Sequence, residues 1–113
     1  MVVQALHIIA AIGTILTGLI SLIRPRKVKG FTGLSAESGR GITEIRAILG
    51  GVFVALGAAP LILNAPATYQ MLGITYLVVA GTRAVSMFVD KSVVQSNIIS
   101  LIVEIVFGVV LVL

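Results

Sequence analysis

The chain has 113 residues, of which 58% are hydrophobic and only 11% are charged, and its mean hydropathy is +1.19. Soluble domains carry about 25% charged residues, so this composition excludes a soluble enzyme, and so much apolar material also excludes disorder. The absence of cysteine excludes a disulfide framework, a thiolate metal site and a cysteine nucleophile. The composition therefore predicts an integral membrane protein.

Four apolar runs follow one another along the chain. Each has the length of about 20 helical residues that crosses a bilayer core about 30 Å thick. The predicted helices cover residues 2–23, 42–63, 67–89 and 93–113. The first is expected to be a retained helix, because a cleaved signal has a positive start and an apolar core of only about 7–15 residues. We predict an all-α integral membrane protein, a four-transmembrane-helix antiparallel bundle forming one domain over residues 1–113.

The connecting segments set the expected orientation. Every Lys and Arg of these segments lies in the basic loop 24–41 or in the turn 90–92, whereas the turn 64–66 is uncharged. The positive-inside rule then places these two segments in the cytoplasm and both termini outside. Four basic residues are expected to bind anionic lipid headgroups, each worth about 1 kcal/mol: Arg24, Arg26, Lys27 and Lys29. No nucleic-acid partner is expected, since no recognition motif accompanies the charge.

Each predicted helix has one face of small and polar residues and an opposite face of Ile, Leu and Val. In the third helix the polar face includes Tyr76 and Arg83, and in the fourth it includes Ser100, Glu104 and Gly108. Helices in a bilayer pack through small residues and polar contacts, so these faces are expected to line the bundle interior. Close packing is the simpler interpretation of the glycines, and a glycine-lined ligand crevice is the alternative.

Three ionisable residues inside the predicted spans are the main site candidates: Arg46, Arg83 and Glu104. Ionisable groups at membrane depth are costly and are usually paired or functional. Glu104 is the deepest, about 18 Å along its helix from Ser92. We hypothesise that Glu104 pairs with Arg83, Arg46 or both, because an unpaired carboxylate there would take up a proton. A structural pair that sets helix register is one interpretation, and a ligand-contacting or proton-coupled group is the other.

Glu44, His7 and Tyr76 are weaker candidates for a ligand-binding or ion-pair role. Glu44 lies two residues from Arg46 and so points to a different side of the helix, where it is expected near Arg40 or near the amide end of its own helix. His7 is the only histidine and has no acidic or thiol neighbour in the sequence, so it is interpreted as a packed, hydrogen-bonded residue. A contact with Glu104 or with a bound cofactor is the alternative. No metal site and no cofactor are predicted.

A pattern of small and ionisable residues runs from residue 41 onward: Glu44, Arg46, Ala47, Gly50, Gly51, Gly57, Gly81, Arg83, Ser86, Asp90 and Glu104. In this pattern the chain resembles an uncharacterised bacterial family of small four-helix integral membrane proteins, a domain of unknown function. In the family pattern a glycine directly precedes the arginine of the third helix, whereas Thr82 intervenes here. The first helix matches only by its length and its closing Pro25. The resemblance implies the four-span architecture in a bacterial cytoplasmic (inner) membrane and points to Arg46, Arg83 and Glu104, but it brings no activity.

These features favour a small non-enzymatic membrane protein, either an accessory subunit or a binder of a lipid or other lipophilic small molecule. The sequence contains no recognisable nucleophile–base set, metal cluster or cofactor fingerprint. The alternative is a small proton-coupled transporter that uses Glu104 and forms a homodimer, since four short helices enclose little volume. A membrane enzyme acting on lipid or quinone is a weaker alternative. Expected partners are the bilayer, a larger membrane complex or a second copy of the chain.

Overall fold

A computed structural model describes residues 1–113 and contains helices without any strand. The helices are α1 (Val2–Ile23), α2 (Val28–Thr32), α3 (Gly39–Leu63), α4 (Pro66–Val89) and α5 (Gln95–Val112). All except α2 are long and apolar enough to cross a membrane, by length and composition. The predicted all-α class with four long apolar helices is confirmed.

Three of the four long helices have ends that differ from the predicted ranges, and residues at the N-terminus account for the difference in α3 and α4. α3 begins at Gly39 rather than at residue 42, because the Ser38 hydroxyl accepts a hydrogen bond from the Gly41 backbone N–H at 3.3 Å. α4 begins one residue early at Pro66, whose missing N–H is not needed in a first turn. α5 is shorter than predicted at both ends, running from Gln95 to Val112.

The basic segment is more ordered than a loop. A 3-10 turn at Pro25–Lys27 leads into α2, and Pro25 and Val28 are both buried. The four basic side chains of this segment, Arg24, Arg26, Lys27 and Lys29, are exposed. Two apolar side chains therefore pack this segment against the protein, while its charged side chains stay on the protein surface.

The chain divides into two units, and the single domain predicted for residues 1–113 stays a prediction. The first unit contains residues 8–64, in which α1 runs antiparallel to α3. Their small residues allow the backbones to approach closely: a Cβ added at Gly57 would lie 2.6 Å from the Ala11 carbonyl oxygen, and one at Gly18 would lie 2.7 Å from the Val54 nitrogen. Small-residue packing of this kind is what joins helices in lipid.

Part of α3 has a wider helical geometry than the rest. Residues Ile45–Val52 are π-helical, and α-helix continues from Phe53. Most π-helical segments are single turns inside α-helices, so eight consecutive residues form an unusually long stretch. The stretch lies where Gly50 meets Leu22 of α1, with an added Cβ only 3.1 Å from the Leu22 Cα.

The second unit contains residues 1–7 and 65–113, and its main feature is the antiparallel pair α4–α5. Gly73 and Gly108 lie where these helices are closest, since a Cβ at Gly73 would be 3.0 Å from the Gly108 carbonyl oxygen. One turn further along, the Tyr76 ring meets Phe107 edge to face at a centroid distance of 5.5 Å. This pairing fixes the register in which the polar residues of the two helices meet.

Candidate functional site

A bidentate ion pair joins α4 to α5. The Arg83 Nε donates to Glu104 Oε1 and the Arg83 Nη2 donates to Glu104 Oε2, both at 2.8 Å. Two parallel charge-assisted hydrogen bonds of this kind fix orientation as well as adding energy. The structure therefore brings together one of the pairs that the sequence suggested, Glu104 with Arg83.

Asn97 completes the cluster, and sequence analysis did not identify it. Its Oδ1 accepts a hydrogen bond from Arg83 Nη1 at 2.8 Å, and its Nδ2 donates to the Ser92 carbonyl at 2.9 Å. The available signal was its spacing, because residues seven apart share a helix face and Asn97 lies seven before Glu104. We refer to Arg83, Asn97 and Glu104 as the polar cluster.

A cleft of about 340 Å³ opens beside the polar cluster. Its apolar lining is Val78, Val79 and Met87, and its polar lining is Thr82, Arg83, Ser86, Ser92 and Asn97. Glu104 does not line the cleft: its side chain is 10% exposed, against 30% for Arg83. A molecule in the cleft would therefore meet the guanidinium and not the carboxylate behind it.

Arg83 lines the cleft and retains hydrogen-bonding capacity. A guanidinium has five N–H groups, and three of them are used by Glu104 and Asn97. One N–H on Nη1 and one on Nη2 are left over. Two of the three hydroxyl protons in the cleft lining are already committed, since Thr82 Oγ1 donates to the Val78 carbonyl and Ser86 Oγ donates to Asp90. Arg83 is therefore the principal hydrogen-bond donor that the cleft offers.

Tyr76 and His7 have packing roles in the same unit. Tyr76 contacts Phe107 and does not line the cleft. The His7 ring stacks on Tyr69 at a centroid distance of 5.2 Å, and its Nε2 lies 2.8 Å from the Val110 carbonyl oxygen. Since a carbonyl only accepts, Nε2 carries the proton. Val110 lies in the last turn of α5, where carbonyls lack a helical partner, so His7 caps that helix.

Arg46 and Glu44 belong to the first unit and bind partners within it. The Arg46 Nε donates to the Leu22 carbonyl at 3.1 Å, which satisfies one of the last four carbonyls of α1. Glu44 forms an exposed ion pair with Arg40, as its sequence position suggested. Exposed pairs contribute at most about 1 kcal/mol, so this one carries no chemistry that we assign. The pairing of Arg46 with Glu104 stays a prediction.

A model of the family described as a domain of unknown function, DUF4345, matches residues 2–113. The match includes α1, so the likeness extends beyond the residues from 41 onward that the sequence pattern suggested. No curated protein and no solved structure shows significant similarity to the chain.

Proposed function

Since this chain belongs to the DUF4345 family, a domain of unknown function, we propose its role from the structure: it is a small, non-enzymatic, multi-pass membrane protein that binds a lipophilic molecule in the cleft beside Arg83. The observation that carries the proposal is the position of the guanidinium. It is fixed by Glu104 and Asn97 and still has two N–H groups left over next to an apolar wall.

Membrane insertion is supported by the long helices themselves. They have 18 to 25 residues and mean hydropathies of 1.6 to 2.2. Even so, only 17% to 28% of the most apolar 18-residue stretch of each helix is buried within the protein. Soluble monomers rarely expose apolar patches of more than a few hundred Å². Large apolar residues such as Ile62, Val78 and Phe88 are exposed along these helices, and surrounding hydrocarbon accommodates such a surface.

Ligand binding is supported by the mixture of groups in the cleft. Ligand sites are mainly apolar with a few placed polar groups, and a donor without an acceptor is costly in hydrocarbon. Val78, Val79 and Met87 form the apolar part of the cleft, and Arg83 supplies the donors. A lipophile with one polar end would satisfy both parts.

The geometry of Glu104 favours a fixed ion pair over a proton carrier. Both carboxylate oxygens accept hydrogen bonds from Arg83. These two charge-assisted bonds hold the carboxylate in one orientation against the guanidinium. This supports a binding role for the cluster over proton-coupled transport.

Filling the cleft is expected to abolish specific labelling by a photoactivatable lipophile. We choose Val79→Trp, because Val79 lines the cleft and is 36% exposed, and the matched control Val103→Trp, because Val103 is 42% exposed and lies outside it. Purified protein in phosphatidylcholine nanodiscs is photolysed separately with each of two C16 probes that carry a diazirine. One probe is a fatty acid methyl ester, and the other is an alkyl sulfonate. Labelled peptides are then mapped by mass spectrometry.

Saturable labelling of α4 by either probe is the expected result, with at least about a tenfold loss in Val79→Trp, equivalent to about 1.4 kcal/mol. The Val103→Trp control should retain wild-type labelling. If both variants label like the wild type, or if neither probe labels α4 saturably, the chain does not bind lipophiles in this cleft.

We further propose the orientation in which the basic segment faces the cytoplasm and binds anionic headgroups. The chain has no cysteine, so single cysteines are introduced without removing any. A membrane-impermeant maleimide should label Ala67→Cys in intact cells and Ser35→Cys only in inverted vesicles, because positively charged segments are retained inside. The reverse pattern would show that both termini are cytoplasmic.

A further inference from the structure

We infer that the ligand of this cleft is an uncharged lipophile whose polar end is a carbonyl oxygen, such as a glyceride ester or a quinone. The inference rests on the proposed function and adds the chemical class of the ligand. Two features of the cleft carry it, the direction of its hydrogen bonds and the balance of its charges.

The first feature is that the cleft offers a group of fixed hydrogen-bond donors at Arg83 and Asn97. The leftover N–H groups of Arg83 are donors, and the second Nδ2 hydrogen of Asn97 is another. The Thr82 and Ser86 hydroxyls donate their protons to Val78 and Asp90, so they do not add to these donors. A ligand is therefore recognised by accepting hydrogen bonds at Arg83, which a carbonyl oxygen with two lone pairs does.

The second feature is that the charge of Arg83 is already balanced. The Glu104 carboxylate is held at 2.8 Å by two hydrogen bonds, and the Asp90 carboxylate binds Ser86 on the cleft wall. An anionic headgroup at Arg83 would meet a guanidinium whose charge is already balanced by Glu104, in a medium that screens charges poorly. An arginine without a carboxylate partner would instead favour carboxylate or phosphate. The bidentate pair thus keeps Arg83 as a donor while removing its preference for anions.

The volume of the cleft fits a polar end and the first part of a chain. About 340 Å³ is near the lower end of the roughly 300–1,000 Å³ of ligand pockets. The exposed side chains of Val78 and Val79 continue the apolar wall outward from Arg83. A longer acyl or prenyl chain would follow this wall into the surrounding lipid.

The test is a competition in nanodiscs against the photoactivatable methyl ester. Four unlabelled competitors are compared: monoolein, decyl-benzoquinone, oleyl sulfonate and octadecane. The first two carry a neutral carbonyl, the third has a permanent negative charge, and the fourth has no acceptor. We expect monoolein, decyl-benzoquinone or both to displace the probe at concentrations at least about tenfold lower than the sulfonate and octadecane require. Whichever of monoolein and decyl-benzoquinone displaces the probe at the lower concentration identifies the ligand carbonyl as that of a glyceride ester or of a quinone.

Glu104→Gln supplies a reversal test. This variant keeps the shape of the pair and removes the balancing charge, so oleyl sulfonate should gain at least about tenfold in apparent affinity relative to monoolein. If the wild type binds the sulfonate as tightly as the carbonyl compounds, the inferred ligand class is wrong although the proposed function stands. If octadecane competes equally well, Arg83 does not recognise the ligand. Failure of every competitor and both probes overturns the proposed function itself.

Discussion

Replacing Glu104 with alanine is expected to lower the free energy of unfolding by about 3 kcal/mol, the lower end of the range for breaking a buried ion pair. The lower end applies because the Arg83 side chain is 30% exposed, whereas that of Glu104 is 10% exposed. The loss arises less from the missing attraction than from the guanidinium left without its carboxylate in an apolar surrounding. Thermal unfolding and denaturant titration in detergent micelles measure the change.

The double variant Arg83→Met/Glu104→Met is the control for this interpretation. Replacing both charges with apolar groups of similar size is often neutral or stabilising, so the double variant should be more stable than Glu104→Ala. It should also lose labelling of the cleft, because the donor is gone. A double variant as unstable as the single one would mean that packing around Glu104, and not charge balance, sets the cost.

The second large effect is expected at Gly57, where α1 and α3 are closest. A methyl group there would lie 2.6 Å from the Ala11 carbonyl oxygen and 2.9 Å from the Ile15 nitrogen, and backbone atoms cannot move without separating the helices. Gly57→Ala is therefore expected to cost about 2 kcal/mol, within the range for overpacked cores. Thermal unfolding in the same detergent measures it.

Gly51→Ala is the matched control, since it makes the same change in the same helix. The nearest atom to an added Cβ at Gly51 is the Arg46 carbonyl oxygen at 3.8 Å, an ordinary contact distance. Alanine has a helix propensity about 1 kcal/mol better than glycine, so this variant should be as stable as the wild type or slightly more so. Equal losses at both positions would show that α3 does not tolerate alanine for a reason other than contact with α1.

The ionisable residues of the site were predictable, because the free-energy cost of placing a charge in an apolar span does not depend on the fold. Any ionisable residue inside an apolar span needs a partner, and this requirement pointed to Arg83, Arg46 and Glu104 without knowledge of the fold. Which arginine meets Glu104 was not predictable. The contact with Arg83 requires the register of α4 against α5, which is set by the close approach at Gly73 and Gly108.

The sequence also could not predict which side chains would cap helices that lie far away along the chain. The bond from Arg46 to the Leu22 carbonyl spans 24 residues, and that from His7 to the Val110 carbonyl spans 103. The last carbonyls of every helix lack a hydrogen-bond donor within the helix. The need for a donor is therefore general, but the nearby sequence does not specify which residue supplies it. Asn97 was not predicted as a site residue, because a polar residue in the first turn of a helix is common and does not by itself indicate a contact.

The amino-acid sequence by itself determined that this chain forms four long apolar helices with a few costly charges inside them, because length, hydropathy and charge are properties of each segment alone. Only the tertiary structure decided that Arg83 binds Glu104 and Asn97, that Arg46 and His7 cap the ends of other helices, and that a cleft opens beside the guanidinium. Those outcomes depend on how closely small residues let particular backbones approach, and no single segment contains that information.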